Sequence, residues 1–251
     1  MIYSVEAYGA IGDGKTDDRT AIQTAINDAQ AAGGGRVHFP RGTYLVGAPL
    51  VISASNIFLE GDGVGVSILL LDDRVNNSVV RFNGQKLTPI VGGGVRGLEI
   101  DGNRLNQTQG VHGIRLQWTS QVSFEDFHVH DAAFIGIAFQ EGVFRGIRIT
   151  NGRVEDTGSH GINLLNQEDN NGDIVITGVT VRRHGRLSTS PGSGSPLQGQ
   201  SAFSLTGECQ VSNCLALDFG DVSSTTGFRL KVTHIDNGEG GHRSELVNWY
   251  A

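Results

Sequence analysis

The sequence predicts an all-β solenoid, a stack of short β-coils closed at its N-terminal end by one α-helix. Three observations carry this. A motif of small, apolar, any and apolar residues recurs as Gly113-Ile114-Arg115-Leu116, Gly136-Ile137-Ala138-Phe139, Gly161-Ile162-Asn163-Leu164, Ala202-Phe203-Ser204-Leu205 and Gly227-Phe228-Arg229-Leu230, at steps of 23, 25, 41 and 25 residues. A second short apolar strand precedes each one, centred on Ile100, Val129, Val154, Val181 and Leu217. Helical periodicity is confined to one stretch near the N-terminus. A coil of about 25 residues cannot bury its apolar face alone, whereas a stack of coils builds a continuous core. Strands of neighbouring coils would lie about 4.8 Å apart, so about eight coils would make a rod roughly 40 Å long. A flat sandwich would need reversing strands and hairpin turns every 8–12 residues or so, which leaves the repeat unexplained.

The elements follow in order. Gly12-Asp13-Gly14 reads as a turn. Thr16, Asp17 and Asp18 then offer N-cap side chains and negative charge at a helix start. Ala21, Ile22, Ala25, Ile26 and Ala29 form one apolar helix face, and Gly33-Gly34-Gly35 ends the helix. Strands follow at 36–40, 42–46, 50–52, 57–61, 67–70 and 79–82, punctuated by Gly and Asn. The chain reads as a single domain over 1–251. Residues 1–48 form the cap and first strands, residues 94–251 the repeated coils, and 186–200, rich in Gly, Ser and Pro, an exposed inserted loop.

Composition narrows the function. The 251 residues include 37 Gly but only 5 Pro, which excludes a collagen-like chain and a Pro/Gly-rich disordered one. A formal charge of −7 argues against binding to a nucleic-acid backbone, although a local Arg/Lys cluster could still hold an acidic ligand. No apolar run approaches the ~18 residues of a membrane span. The N-terminus has neither the basic nor the apolar region of a signal peptide. That predicts synthesis in a cytoplasm and, for any role outside, export by another route such as a virion. Cys209 and Cys214 fit no zinc motif and no disulfide framework, so both read as core thiols.

The segment Tyr8-Gly9-Ala10-Ile11-Gly12-Asp13-Gly14-Lys15-Thr16-Asp17-Asp18, with Ala21-Ile22-Gln23, Gly34-Gly35, Phe39-Pro40 and Gly42-Thr43-Tyr44, resembles the opening of the pectate-lyase-like superfamily. The resemblance implies a right-handed parallel β-helix whose first helix caps the N-terminal end, where strand edges would otherwise lie open. It implies polysaccharide chemistry or binding, since the family includes pectin-degrading lyases and hydrolases, mannuronan C5-epimerases and bacteriophage tailspikes. The family's active sites transfer poorly. Leu98-Glu99-Ile100-Asp101-Gly102-Asn103-Arg104 looks like an epimerase segment, yet the epimerases' Tyr-Gly-Phe-Asp-Pro-His falls on Ile135-Gly136-Ile137-Ala138-Phe139-Gln140, without the tyrosine, aspartate or histidine. Ser159-His160-Gly161 and Arg229-Leu230-Lys231 resemble the Gly-His-Gly and Arg-x-Lys of pectin hydrolases. They lie two repeats apart, and no Asp-Asp pair accompanies them.

Alternation along a strand gives the candidate site. With Ile114 and Leu116 inward, the outward columns are Arg115, Ala138, Asn163, Ser204, Arg229 and Gln117, Gln140, Leu165, Thr206, Lys231. On the preceding strands they are Asp101, His130, Glu155, Arg182, Asp218 and Glu99, His128, Arg153, Thr180, Ala216. Any solenoid needs polar outer columns to stay soluble, but amide, hydroxyl and guanidinium groups in register also suit a long sugar polymer. Arginine grips carboxylates with two hydrogen bonds, which points to an acidic one. Arg115, Gln117, Gln140, Asn163 and Ser204 are the expected substrate-binding residues. His160, Arg229 and Lys231 are the expected catalytic ones, for β-elimination or hydrolysis. The alternative is a non-catalytic structural or receptor-binding module of tailspike type. His112 occupies the place of His160 in an earlier coil, so both also fit a turn role, and Asp131 and Asp156 read as turn-capping carboxylates. Glu168-Asp169-Asn170-Asn171-Gly172-Asp173 could hold calcium but misses the regular loop pattern, so no cofactor is expected. No helix closes the C-terminal end. Trp249 and Tyr250 folding over it, or a homo-oligomer such as a trimer, would cover the last coil.

Overall fold

The computed structural model describes residues 1–164, 171–186 and 200–217, together with the backbone of the strand Thr226–Lys231. The loop at 186–200, the first half of the acidic 168–173 segment and the C-terminal Trp249 and Tyr250 lie mainly or wholly outside the described residues. Three parallel sheets of eight, eight and seven strands run the length of the molecule, here called A, B and C. Successive strands of the chain visit A, B and C in turn, so the chain winds as a right-handed parallel β-helix.

Each sheet turns one residue column inward. In sheet A the column is Val37, Leu59, Val95, Phe124, Ile149, Ile176 and Val211, paired residue to residue. In sheet B it is Tyr44, Leu69, Ile100, Val129, Val154, Val181 and Ala216. In sheet C it is Leu50, Val80, Ile114, Ile137, Ile162 and Phe203. Nearly all of these side chains are fully buried in one continuous core. β-Branched and aromatic residues suit this position because they pack well on a pleated surface.

The A-to-B corner repeats one device. Gly97, Asp126, Asn151, Gly178 and Asn213 all take left-handed backbone there, with φ of 60°, 49°, 52°, 65° and 52°. Asp126 donates its N–H to the Thr150 carbonyl, Asn151 to Thr177 and Gly178 to Ser212, so the corners stack as the strands do. Gly, Asn and Asp tolerate this region where other residues pay a steric cost. Asp131 and Asp156 adopt the same conformation after sheet B, in line with the turn reading.

The N-terminal helix, α1, spans Arg19–Ala31 and buries Ile22, Ala25, Ile26 and Ala29 over the first coil. Two local expectations are corrected. Asp13 and Gly14 open a bulged strand, Asp13–Asp17, paired to sheet B, with Gly12 just before it. Asp18 stands at the N-cap, but its carboxylate accepts from the backbone N–H groups of Ile11 (2.7 Å) and Gly12 (3.0 Å), anchoring the entering chain rather than the helix.

The last described strand of sheet B also differs from the sequence reading. Ala216, not Leu217, faces the core, and Leu215 and Leu217 face outward, each 40% exposed. The corner sets this frame: Asn213 aligns with Gly178, and Leu215 donates to the Val179 carbonyl. Asp218 therefore does not continue the Arg182 column, nor Ala216 the Thr180 column; Leu217 and Leu215 do. Stacking also reaches back before residue 94, to Leu50–Ile52. Val79 stands there where later coils carry glycine, which hides the repeat. Both thiols are free, with Cys214 buried and Cys209 half-buried, and burial pushes the Cys209 thiol up to about 12.

Candidate functional site

Two outer faces carry chemistry. On sheet C, ladder pairing puts Val51, Arg81, Arg115, Ala138, Asn163, Ser204 and the backbone of Arg229 in one column. Arg81 and Arg115 sit on adjacent strands and are both half-buried. Neither forms an ion pair with a carboxylate among the described residues, and the Nε of each is buried without a hydrogen-bond partner. Burial and the neighbouring Arg81 both lower the pKa of Arg115. Glu141 partly offsets the Arg115 charge but makes no ion pair with it, so the two guanidinium groups on adjacent strands form a site for an anion.

The surrounding residues depart from simple alternation. The register slips between Leu116 and Gln117, so Gln117 pairs with Glu141 and Gln140 becomes the extra residue of a β-bulge. Gln140 thus leaves the Gln117 column, and its amide donates to Nε2 of His112 at 2.9 Å. Gln117 is nearly buried, at 8% exposure. Ser204 keeps its predicted register but is fully buried, because the strand Ser201–Thr206 is covered on both sides. Ala138 is buried too, which leaves Arg81, Arg115 and Asn163 as the reachable part of the column. Sequence reasoning missed Arg81, although alternation within Val79-Val80-Arg81-Phe82 carries the signal. Trp118, half-buried with φ of 47°, closes the same strand, with the Lys86 ammonium 5.8 Å from its ring.

His160 lies at the turn into sheet C, where its Nδ1 accepts the backbone N–H of Ser201 at 2.9 Å. That bond occupies the ring's proton-accepting atom. Arg229 and Lys231 continue the Ser204 and Thr206 columns through their backbones. In the acidic segment, Asn171 and Asp173 already have partners: Asn171 accepts from the Phe144 N–H, and Asp173 pairs with Arg148 at 3.0 Å.

His112 packs on Phe134 with ring centroids 5.6 Å apart. Burial, then Arg115 and Arg81, push its pKa down to about 4. The unfolded imidazole takes its proton near pH 6.5, so between these values the unfolded state binds more protons. Stability is therefore full above pH 6.5 and falls as pH drops towards 4. Denaturant titrations should show a loss of about 2 kcal/mol between pH 7.5 and 5 that a His112→Gln variant lacks.

The second face lies on sheet B. Glu99 pairs in the ladder with His128, and Asp101 with His130, which pairs in turn with Glu155. His130 Nε2 lies 3.2 Å from Glu99, and its Nδ1 lies 3.0 Å from Asp131. His128 Nδ1 is 3.6 Å from Glu99, and its Nε2 is 3.7 Å from Glu155. The two rings are 4.5 Å apart. Burial opposes charge on both rings. At His130 the hydrogen bond to Asp131 and the charges of Asp101 and Glu99 outweigh it and hold the pKa at about 9, whereas at His128 burial and His130 prevail and lower it. One turn on, Arg183 clamps Asp156 at 2.8 and 2.6 Å and Glu155 at 3.1 Å. The sequence columns contain Glu99, Asp101, His128, His130 and Glu155, but not Asp131, Asp156 or Arg183, and only the ladder register brings them together.

A right-handed parallel β-helix with one capping helix is the architecture of the pectate-lyase-like class. The chain belongs to the rhamnogalacturonase A/epimerase, pectate lyase-like family, whose model matches residues 2–190. The mannuronan C5-epimerase AlgE6 of Azotobacter vinelandii is 39% identical over 128 residues, covering 45% of this chain and 14% of that protein. Alginate lyase 7 of the same organism is 35% identical over 139 residues, covering 51% and 16%. The chain thus spans less than a fifth of the length of these curated relatives. Among solved structures, the N-terminal fragment of gene product 12 of bacteriophage phi29 shares the fold, with a TM-score of 0.68 and 19% identity over 91% of this chain and 40% of that one. No helix among the described residues is long and apolar enough to cross a membrane.

Proposed function

We propose that the chain is a carbohydrate-active β-helix that binds a carboxylate-bearing polysaccharide along the outer face of sheet C. The observation that carries this reading is the Arg81–Arg115 pair, half-buried and without carboxylate partners among the described residues. A uronic-acid carboxylate would supply an ion-pair partner, and Asn163 would hydrogen-bond sugar hydroxyls. The names of the curated relatives, which specify mannuronan and alginate, agree with this substrate class.

The test is titration of the full chain with oligosaccharides of alginate and pectate and with a neutral glucan. Arg81→Ala and Arg115→Ala should each weaken binding of the acidic oligomers by about 10- to 100-fold, the range for a hydrogen bond to a charged group. Unchanged affinity in both variants, or equal binding of the neutral glucan, would overturn the proposal.

Whether the bound polymer is also cut is a separate question, and a second reading assigns cleavage to His160, Arg229 and Lys231. The shared columns of Ser204 with Arg229 and Thr206 with Lys231 favour it. The occupied Nδ1 of His160 and the missing epimerase triad favour binding without cleavage, as in a receptor-binding module, for which a homo-oligomer such as a trimer would be the natural form. New reducing ends or unsaturated ends on acidic polymers would decide for cleavage.

A further inference from the structure

We propose that Glu99, His128 and His130 form a binding site for a first-row divalent cation of the zinc type, which would staple two neighbouring coils on the outer face of sheet B. The site lies on a different sheet from the arginine pair and goes beyond the polysaccharide reading.

Four observations support the site. First, the ligand atoms already converge. Glu99 and His128 face each other across the ladder, and His130 projects on the same side two residues along. The donor atoms all lie within 4.8 Å of one another. The Glu99 oxygens are 3.2 Å from His130 Nε2 and 3.6 Å from His128 Nδ1. A tetrahedral ion with bonds of about 2.0–2.1 Å sets its ligand atoms about 3.3 Å apart.

Second, both ring nitrogens of His128 are buried and have no hydrogen-bond partner. An imidazole with neither nitrogen satisfied is costly in a protein interior, and a cation on Nδ1 removes half of that cost. Third, His130 is already held as a metal-binding histidine is held. Its Nδ1 donates to Asp131, which lies 3.6 Å from the Arg104 guanidinium. A carboxylate on one ring nitrogen fixes the ring's orientation, and a cation would take the place of the proton that Nε2 shares with Glu99 Oε1.

Fourth, the donor set selects the ion. Two imidazole nitrogens and one carboxylate suit zinc and its first-row neighbours, whereas calcium and magnesium take oxygen ligands. A second grouping, Asp101, His130 and Asp131, shares the His130 ring. It would leave His128 bare and remove the carboxylate that orients His130, so the first set is the one assigned. The three side chains are 18%, 13% and 17% exposed, which leaves the fourth coordination position within reach of water or of a ligand oxygen.

The test uses the full chain without a histidine tag, stripped with EDTA and dialysed, and no polysaccharide. Calorimetric titration with ZnCl2 should show one equivalent bound with micromolar or tighter affinity. The thermal midpoint should rise, and CoCl2 should develop the visible absorption of a low-coordinate cobalt site. His128→Gln and Glu99→Gln should abolish the cobalt spectrum. Asp131→Asn, which keeps all three ligands, should weaken zinc binding by about tenfold or more. Circular dichroism checks that each variant is folded. No saturable heat, one-equivalent binding unchanged in folded Glu99→Gln and Asp131→Asn, or calcium binding as tight as zinc would each overturn the site in favour of a proton-held network of Glu99, His130 and Asp131.

Discussion

Adding one methyl group at Gly136 is expected to destabilise the protein by about 3 kcal/mol, at the upper end of overpacking costs. A Cβ there would stand 2.3 Å from Val154 Cγ1 and 2.7 Å from the Gly161 carbonyl oxygen. The clash is not local to one coil. Gly113 meets Val129 at 2.3 Å and Gly161 meets Val181 at 2.4 Å in the same way, so each glycine makes room for the valine that follows it in the same turn. The series then changes: the glycine position becomes Ala202, and the valine position becomes Ala216. Volume moves from one side of the seam to the other. Gly136→Ala should therefore lower the thermal midpoint by roughly 6–12 °C, and Val154→Ala in the same chain should recover part of the loss. A Gly136→Ala protein within about 0.5 kcal/mol of wild type would show that the seam is loose.

Replacing Arg183 should cost nearly as much by a different route. Arg183 is the shared cation of Asp156 and Glu155, whose side chains are 23% and 12% exposed. Arg183→Met keeps the apolar stem and leaves the two largely buried carboxylates with longer contacts, Asp156 to Arg186 and Glu155 to His128, each at 3.7 Å. The expected loss is about 3 kcal/mol, the lower end for breaking a buried pair, since the site is partly wet. The pH dependence separates charge from packing. The hydrogen bond from Arg183 holds the Asp156 carboxyl below the usual carboxylate range. A lowered carboxylate pKa contributes stability above its unfolded value and loses it as pH falls through its folded one. The gap between wild type and Arg183→Met, read from denaturant titrations, should thus be full at neutral pH and narrow below about pH 4. A gap that stays constant across that range would assign the effect to altered packing rather than to charge.

Much of the architecture is legible because two rules repeat without interruption. Ile114, Ile137 and Ile162 recur after glycine, and Ile100, Val129, Val154 and Val181 recur before it, so both inward columns can be drawn without coordinates. The reading slips where a local feature resets the count. Leu217 looks the better core residue, but the left-handed Asn213 fixes the frame and sends it outward. A bulge takes Gln140 out of the Gln117 column. Burial of Ser204 depends on what covers a strand from outside, which alternation does not encode. The candidate site divides in the same way. Arg115 and Asn163 follow from alternation, whereas the partnership of Glu99 with His130 depends on side-chain reach across two strands.

The seam through Gly113, Gly136 and Gly161 gives the molecule interchangeable building units. His112, Ile135, His160 and Ser201 hold the same place just before it, linked by N–H donation from Gly113 to Ile135, Gly136 to His160 and Gly161 to Ser201. Residues 136–160 are therefore one complete turn of the spiral, with its own strand in each sheet and with Gly136 making room for Val154 of the same turn. Such a unit can be duplicated or excised in evolution with both joints still matching, so the rod can change length by whole turns. The turn that begins at Ser201 carries its own matched pair, Ala202 and Ala216, in place of the glycine and valine.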